Sequence, residues 1–204
     1  MKKISTIIFL FTITANFLNC RDTGNLKPQS RDSILINSSA DSTALVSLVI
    51  KLLKWHESDS NLSMDFDVKK TSPADSIYSG IDWTVHKKRM TELSNTNFFT
   101  DSFLSNYHHI ALYLDQELKT NKTKYREGDL PPYGGDGNEW CNCQDFPGDI
   151  WKNLKITDLK MNGDSANFKW NWGDELYYSV KTKKENGSWK ISYLEGFDIK
   201  TFSW

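Results

Sequence analysis

The sequence has no large excess of charge of either sign, which limits the partners it is expected to bind. It contains 25 Lys and Arg residues against 26 Asp and Glu residues, a formal net charge of −1. Without the first twenty residues, which hold two lysines and no acid, the net charge falls to about −3. Proteins that bind nucleic acid usually carry a basic face, and no segment here is a polybasic membrane patch. No nucleic-acid partner is therefore predicted.

The sequence also lacks the short motifs that identify common enzymes. It has no nucleophile elbow, no phosphate-binding glycine loop, no HExxH and no dinucleotide fingerprint. Its acids do not follow the calcium-loop spacing, and its four histidines and three cysteines do not by themselves make a zinc ligand set. No metal, cofactor or reaction is predicted from these residues.

One apolar run stands out, at the N-terminus. Lys2 and Lys3 precede the run Ile7 to Ile13, which is too short to span a bilayer comfortably and is typical of an export signal. The following Phe17-Leu18-Asn19-Cys20 resembles a bacterial lipobox. That resemblance implies removal of residues 1–19 and a diacylglyceryl group on Cys20, which would anchor the chain to a membrane of the bacterial cell envelope, facing the periplasm or the outside. An ordinary cleaved signal peptide, with no role for Cys20, is the alternative.

The rest of the chain divides into a tether and one domain. Residues 20–40 are polar, rich in Ser, Asn and Asp, and are predicted to form a flexible tether. Residues 41–204 are long enough for a single domain with a real core. Capping residues and apolar spacing predict three helices in its first half. They run from Asp41 or Ser42 to about Glu57, from Trp83 to Leu93, and from Thr100 or Asp101 to about Thr120.

The last fifty residues alternate apolar and polar side chains, which is typical of strands with one buried face. Asn162-Gly163 and Asn186-Gly187 are dipeptides that tight hairpins prefer. The predicted fold class is therefore α+β, with N-terminal helices packed on a curved, antiparallel C-terminal meander in a cone-like arrangement. We expect the aromatic face of this meander to form a pocket that includes Trp170, Tyr178 and Tyr193.

Three ionisable side chains are candidates for chemistry in such a pocket. Glu195 shares a face with Tyr193 by alternation, and burial there would raise its pKa and make it a general acid or base. Strand twist or a bulge would instead place it at the rim. His108 and Asp115 lie about 10 Å apart along the third helix, where they would border one cavity or lie on a solvated flank.

The segment 122–149 is a long loop rich in Gly and Pro, and loops of this length in a compact domain are usually functional or mobile. Within it, Tyr133 and Trp140 are candidate contact residues for a partner. Cys141 and Cys143 are predicted to form a disulfide or to stay buried as thiols, with redox or metal chemistry as the alternative.

The order of helices, loop and meander, ending in Trp189-Lys190-Ile191-Ser192-Tyr193 after a Gly turn, is similar to that of the nuclear-transport-factor-two-like, or SnoaL-like, α+β cone. Gln144-Asp145-Phe146-Pro147 also resembles a segment of an uncharacterised family of secreted bacterial domains with this fold. The resemblance implies a curved sheet that wraps a helix and leaves a pocket. The fold hosts isomerases, dehydratases, ligand binders and assembly modules, so it does not fix a function. The catalytic Asp-His pair of the enzymatic members has no residue-by-residue match here.

Three functions follow as hypotheses. The first is a lipid-anchored envelope domain that binds a small ligand or a protein partner through the aromatic pocket or the loop 128–149. The second is a small hydrolase or isomerase with a pocket carboxylate, and the third is an envelope immunity or inhibitor protein. The candidate pocket or binding residues are Glu195, Tyr193, Trp170, Tyr178, His108, Asp115, Trp140 and Tyr133.

Overall fold

The computed structural model describes residues 32–58, 65–120, 124–129, 138–141, 143, 149–172 and 177–202. In these ranges the fold is α+β, as predicted from the sequence. The helices are α1 (Asp32–Ser58), α2 (Trp83–Asn95) and α3 (Asp101–Lys119). The strands are β1 (Val68–Lys70), β2 (Tyr78–Ile81), β3 (Lys155–Asn162), β4 (Ser165–Asn171), β5 (Tyr178–Glu185) and β6 (Ser188–Leu194). None of the helices within these ranges has the length and apolar character needed to cross a bilayer.

The helices α2 and α3 begin at side-chain caps. Asp82 accepts hydrogen bonds from the backbone N–H groups of Thr84 and Val85, and Thr100 accepts one from the backbone N–H of Phe103. These caps satisfy N–H groups that have no partner within the helix. The predicted starts of both helices are confirmed, and the observed ends lie within about two residues of the predicted ones.

The start of α1 differs from the prediction, because residues 32–40 of the expected tether are helical. Asp41 does not cap this helix. Its carboxylate accepts hydrogen bonds from Lys184 Nζ and Trp189 Nε1, both at 2.9 Å. A partner elsewhere in the fold removes the competition between an Asp side chain and the helix backbone, and no Gly or Pro interrupts 32–40. The helix therefore continues through Asp41.

The C-terminal strands form an antiparallel sheet in the order β3-β4-β5-β6. The β5–β6 turn is the two-residue loop Asn186-Gly187, whose φ values of 51° and 78° are those that Asn and Gly tolerate in a tight hairpin. One face of the sheet is buried beneath α1 and α3, as the alternation predicts. Its buried residues are Ala166, Phe168, Trp170, Tyr178, Val180, Thr182, Trp189 and Ile191.

Strand β6 contains a bulge, which places its last residues on the face of the sheet opposite to the predicted one. Lys181 pairs with Tyr193 and Thr182 pairs with Ile191, so Ser192 has no opposite residue. One extra residue moves every later side chain to the other face. Leu194 is therefore buried, while Tyr193 lies on the outer face. The prediction that Tyr193 shares the buried aromatic face is wrong.

A second, two-stranded sheet of β1 and β2 packs against α3. Asp115 on α3 accepts a hydrogen bond from the backbone N–H of Ile81 at 3.0 Å. Gly80 makes this contact possible, because a Cβ at that position would lie 2.6 Å from the same carboxylate oxygen. The segment 124–129 extends this layer, since Tyr78 donates its backbone N–H to the carbonyl of Tyr125 at 2.8 Å.

Candidate functional site

A buried polar cluster, formed by Asp65, Arg89, Tyr107 and Trp140 and called here the Asp65 cluster, lies between the helices and the loop segment 138–141. Asp65 Oδ1 accepts the Tyr107 hydroxyl proton at 2.6 Å and the Arg89 Nε and Nη2 protons at 3.3 Å each. Asp65 Oδ2 accepts the Trp140 indole N–H at 2.5 Å. The side chains of Asp65 and Arg89 are only 6% and 7% exposed, so this is a buried ion pair.

Aromatic rings enclose the cation of this pair. The Arg89 guanidinium lies 5.1 Å from the Trp55 ring centroid and 5.5 Å from that of Trp140. Rings at this distance stabilise a cation through their negative faces. A buried pair repays its desolvation only when its hydrogen-bonding groups are satisfied, and the Asp65 carboxylate is satisfied by donors from α2, α3 and the loop. The Asp65 cluster therefore ties three parts of the chain together.

The residue after Asp65 has an unusual backbone. Phe66 has φ of 62°, a value that a bulky side chain rarely adopts and that costs about 1–3 kcal/mol. Its ring stacks on Tyr107 at 4.6 Å between centroids, and it is fully buried. The Asp65 hydrogen bonds and this stacking together hold the strained turn in place.

Two groups at the Asp65 cluster have shifted pKa values: the half-buried Glu139, next to Trp140, and Tyr107 of the cluster itself. Burial, reinforced by the nearby Asp65 charge, raises the pKa of Glu139 to about 7. Burial, again with the Asp65 charge, raises the pKa of the Tyr107 phenol well above its usual range. A carboxyl group with a pKa near 7 can give or take a proton at neutral pH, so Glu139 is the described side chain best suited to acid–base chemistry.

A histidine pair lies next to Tyr107. His86 Nε2 and His108 Nδ1 are 3.0 Å apart, and the His86 ring stacks on Tyr107 with 5.8 Å between centroids. Burial, and then the proximity of His108, lower the pKa of His86 to about 4, so His86 is neutral at pH 7. Within the described ranges, no three His, Cys, Asp or Glu side chains converge as metal ligands.

His108 and Asp115 do not act as one site. His108 pairs with His86 on α2, whereas Asp115 is buried against β2 and forms an ion pair with Lys119 at 2.6 Å. The expectation that both border one cavity is wrong, and so is the alternative of a solvated flank for Asp115. The partners of these residues on other elements decide their positions, and spacing along the helix does not reveal those partners.

The candidate aromatic residues are part of the core. Trp140, Trp170 and Tyr178 are each no more than 1% exposed, so they fill the interior instead of lining an open pocket. Trp140, a candidate contact residue for a partner, is buried and cannot serve as one in this structure. The Tyr178 hydroxyl donates to the carbonyl oxygen of Glu139 and accepts the backbone N–H of Gly196 at 3.0 Å.

The two candidates at the end of β6 lie outside the aromatic face. Glu195 is half-buried in a short turn (Glu195–Phe197), where Oε2 accepts the backbone N–H of Ser179 at 2.7 Å. The Tyr193 hydroxyl donates to Asp198 Oδ2 at 3.1 Å. Burial, followed by this hydrogen bond, raises the pKa of Tyr193 to about 12. The rim position considered for Glu195 is the observed one.

Cys141 and Cys143 are joined by a disulfide and are both buried. The disulfide closes a turn in which Asn138 donates its backbone N–H to the carbonyl of Cys143 at 2.8 Å. Tyr133 and Cys20 lie outside the described residues.

An open groove lies at the β1–β2 hairpin, beside the C-terminal end of α3. It has a volume of about 530 Å³, and we call it the hairpin groove. Hydroxyl groups, one carboxylate, one ammonium group and three larger side chains line it. The lining residues are Thr71, Asp75, Ser76, Ile77, Tyr78, Ser79, Leu118 and Lys119.

The sequence did not indicate the Asp65 cluster or the hairpin groove. Asp65 and the groove residues of the hairpin lie in a stretch, 61–79, that reads as a polar loop. Arg89 is one of several charged residues on α2, and nothing in its neighbours marks it as buried. A polar residue reveals its burial only through contacts far away in the sequence, such as the 75 residues that separate Asp65 from Trp140.

These features define an α+β domain with an internal ion-pair cluster and an external polar groove. No protein-family model matches the chain, and comparisons with curated proteins and with solved structures give no match. The resemblance to the nuclear-transport-factor-two-like cone therefore stays a prediction.

Proposed function

We propose that this chain is a lipid-anchored domain of the bacterial cell envelope that binds a small polar ligand, or a short segment of a protein partner, in the hairpin groove. The observation that carries the binding role is the groove itself. The anchor at Cys20 and the envelope location rest on the basic and apolar pattern of residues 1–20.

The lining of the groove suits a ligand with several hydrogen-bonding groups and a small apolar part. Thr71, Ser76 and Ser79 offer hydroxyl groups, Asp75 offers a carboxylate, and Lys119 offers an ammonium group that also pairs with Asp115. Ile77, Tyr78 and Leu118 supply the apolar wall. A volume of about 530 Å³ lies within the range of small-molecule sites, about 300–1,000 Å³.

The Asp65 cluster supports a binding role over a catalytic one. The hydrogen-bond acceptors of Asp65 are directed at Tyr107, Trp140 and Arg89, and all three side chains are buried. A catalytic carboxylate must reach a substrate, whereas this one holds structural donors. The Asp65 carboxylate is thus used to stabilise the fold, and the groove is an accessible surface that a ligand can reach.

The test is a titration of the chain with a defined panel of oligosaccharides and tripeptides, followed by backbone chemical shifts in NMR spectra. We expect shifts confined to the groove residues Ile77, Tyr78 and Ser79. Ser76→Trp should fill the groove and abolish the response. Ser105→Trp, on the exposed surface of α3, is the matched control and should leave it unchanged. Chemical-shift changes that persist in Ser76→Trp, or no change with any member of the panel, would refute the groove as the recognition site.

The hydrolase or isomerase alternative has one observation in its favour, the Glu139 carboxyl with a pKa of about 7. It predicts hydrolysis of a chromogenic ester whose rate follows that pKa and disappears in Glu139→Gln. An equal rate in Glu139→Gln would remove this alternative.

A further inference from the structure

The outer face of the C-terminal sheet carries a concentration of positive charge that the balanced composition hides. Residues paired across antiparallel strands lie on the same face, so the register identifies the side chains opposite the buried face. Most of the outer residues are small and polar or basic. The lysines of this face, called the lysine face, are Lys155, Lys160, Lys169, Lys181, Lys183 and Lys190.

Few acids neutralise the lysine face among the described residues. Glu185 lies 3.4 Å from Lys190, and Asp158 in the β3 bulge lies 3.7 Å from Lys169. Lys183 and Lys190 are directly opposite each other on β5 and β6, an arrangement of like charges that destabilises a sheet. Glu185 offsets part of this repulsion at Lys190, and the four lysines of the face outside these two ion pairs are suited to an anionic partner.

The layout of the charges favours an extended, planar partner. Strands of seven and eight residues at the usual rise and separation give a surface of roughly 25 by 15 Å, and the lysines are spread across all four strands. They do not converge on one point, as they would for a compact anion. The ammonium group of lysine is also a mobile point charge. The planar guanidinium of arginine, by contrast, can form two parallel hydrogen bonds to a single phosphate.

Two tyrosines accompany the lysines. The Lys181 ammonium lies 4.6 Å from the Tyr193 ring centroid, and the Lys169 ammonium lies 5.9 Å from that of Tyr177, which is 48% exposed. Tyrosine and lysine side chains, with apolar bodies and polar tips, suit the headgroup level of a membrane.

We propose that the lysine face docks on an anionic phospholipid surface. The position of α1 is compatible with an anchor on the same membrane. Asp41 contacts Lys184 and Trp189 beside the β5–β6 turn, so α1 passes this end of the sheet at its tenth residue. Residues 21–31, which separate Cys20 from α1, reach at most about 40 Å. The docking itself does not require lipid on Cys20.

The experiment uses the full chain with Cys20→Ala, so that no lipid is attached. Its sedimentation with phosphatidylcholine vesicles is compared with that on vesicles containing 30% phosphatidylglycerol, at low and at high salt. We expect preferential binding to the anionic vesicles and a loss of that preference in high salt, because salt screens surface charge. Lys2 and Lys3 can themselves favour anionic vesicles, but they are present in every variant, so the comparison between variants isolates the contribution of the lysine face.

The double variant Lys160→Gln/Lys183→Gln tests the face itself. Both lysines are exposed, and neither takes part in the ion pairs described above, so folding should be unaffected. Each lysine near an anionic membrane is expected to change partitioning about fivefold, and the pair about 25-fold. The matched control Lys51→Gln/Lys87→Gln removes the same amount of charge from α1 and α2. It should retain the preference for anionic vesicles.

Equal binding to both kinds of vesicle would overturn the proposal, and so would an equal loss in the control variant. Absence of binding to anionic vesicles would also overturn it, and would leave a soluble acidic protein as the partner of the lysine face. Ser76→Trp should not change vesicle binding, so the outcome is independent of the hairpin groove.

Discussion

Replacing Asp65 by asparagine tests whether the Asp65 cluster stabilises the fold as described. The substitution keeps one acceptor oxygen, for either Tyr107 or Trp140, turns the other into an NH2 donor that faces an unpaired donor, and removes the negative charge. Arg89 would then be a buried cation without its carboxylate, and breaking a buried pair from one side costs about 3–5 kcal/mol. For a domain of this size, about 2–4 °C in Tm per kcal/mol gives a decrease of roughly 6–20 °C.

Urea unfolding followed by tryptophan fluorescence measures this loss, with Asp164→Asn in the exposed β3–β4 turn as the control. The control should change the free energy of unfolding by less than about 0.5 kcal/mol. Adding Arg89→Met to Asp65→Asn should restore part of the stability, because both charges are then gone. A loss below about 1.5 kcal/mol in the single variant, or no recovery in the double one, would refute the buried-pair account.

Three further predictions address other parts of the chain. Gly196→Ala should lower the free energy of unfolding by more than about 2 kcal/mol, measured in urea, because the new Cβ would overlap the Glu139 carbonyl oxygen. Glu139 has a raised pKa, so the folded state binds its proton more tightly than the unfolded state. The free energy of unfolding should therefore decrease as the pH rises from about 4.5 to 7, and Glu139→Gln should remove that part of the decrease in urea titrations across this range. Cys20→Ala should abolish labelling by radioactive palmitate, and retained labelling would contradict a lipid anchor at this residue.

The parts of the fold that the sequence predicts correctly are those governed by local patterns. Thr100 as a cap of α3, the Asn186-Gly187 turn and the alternation from Ala166 to Trp170 all act within a few residues. The first follows from helix capping, the second from the tolerance of Asn and Gly for positive φ, and the third from the two-residue period of a strand. The α+β class follows from their order along the chain.

The parts that the sequence does not predict depend on contacts between distant residues. The early start of α1 depends on the bonds from Asp41 to Lys184 and Trp189. The exposure of Tyr193 depends on a bulge that no residue type in β6 announces. The lysine face is likewise invisible as a charge run, because its six lysines come from four strands and most of them are separated in the sequence by stretches that include acids.

The unpaired Ser192 makes one position of β6 dispensable. Deleting Ser192 would remove the bulge and restore strict alternation, with Tyr193 still opposite Lys181 and Leu194 still opposite Val180. Leu194 would therefore stay buried and Tyr193 would stay on the outer face. Loss of a single codon within a strand usually moves every later side chain to the wrong face, whereas loss of this codon should leave the facing of β6 unchanged.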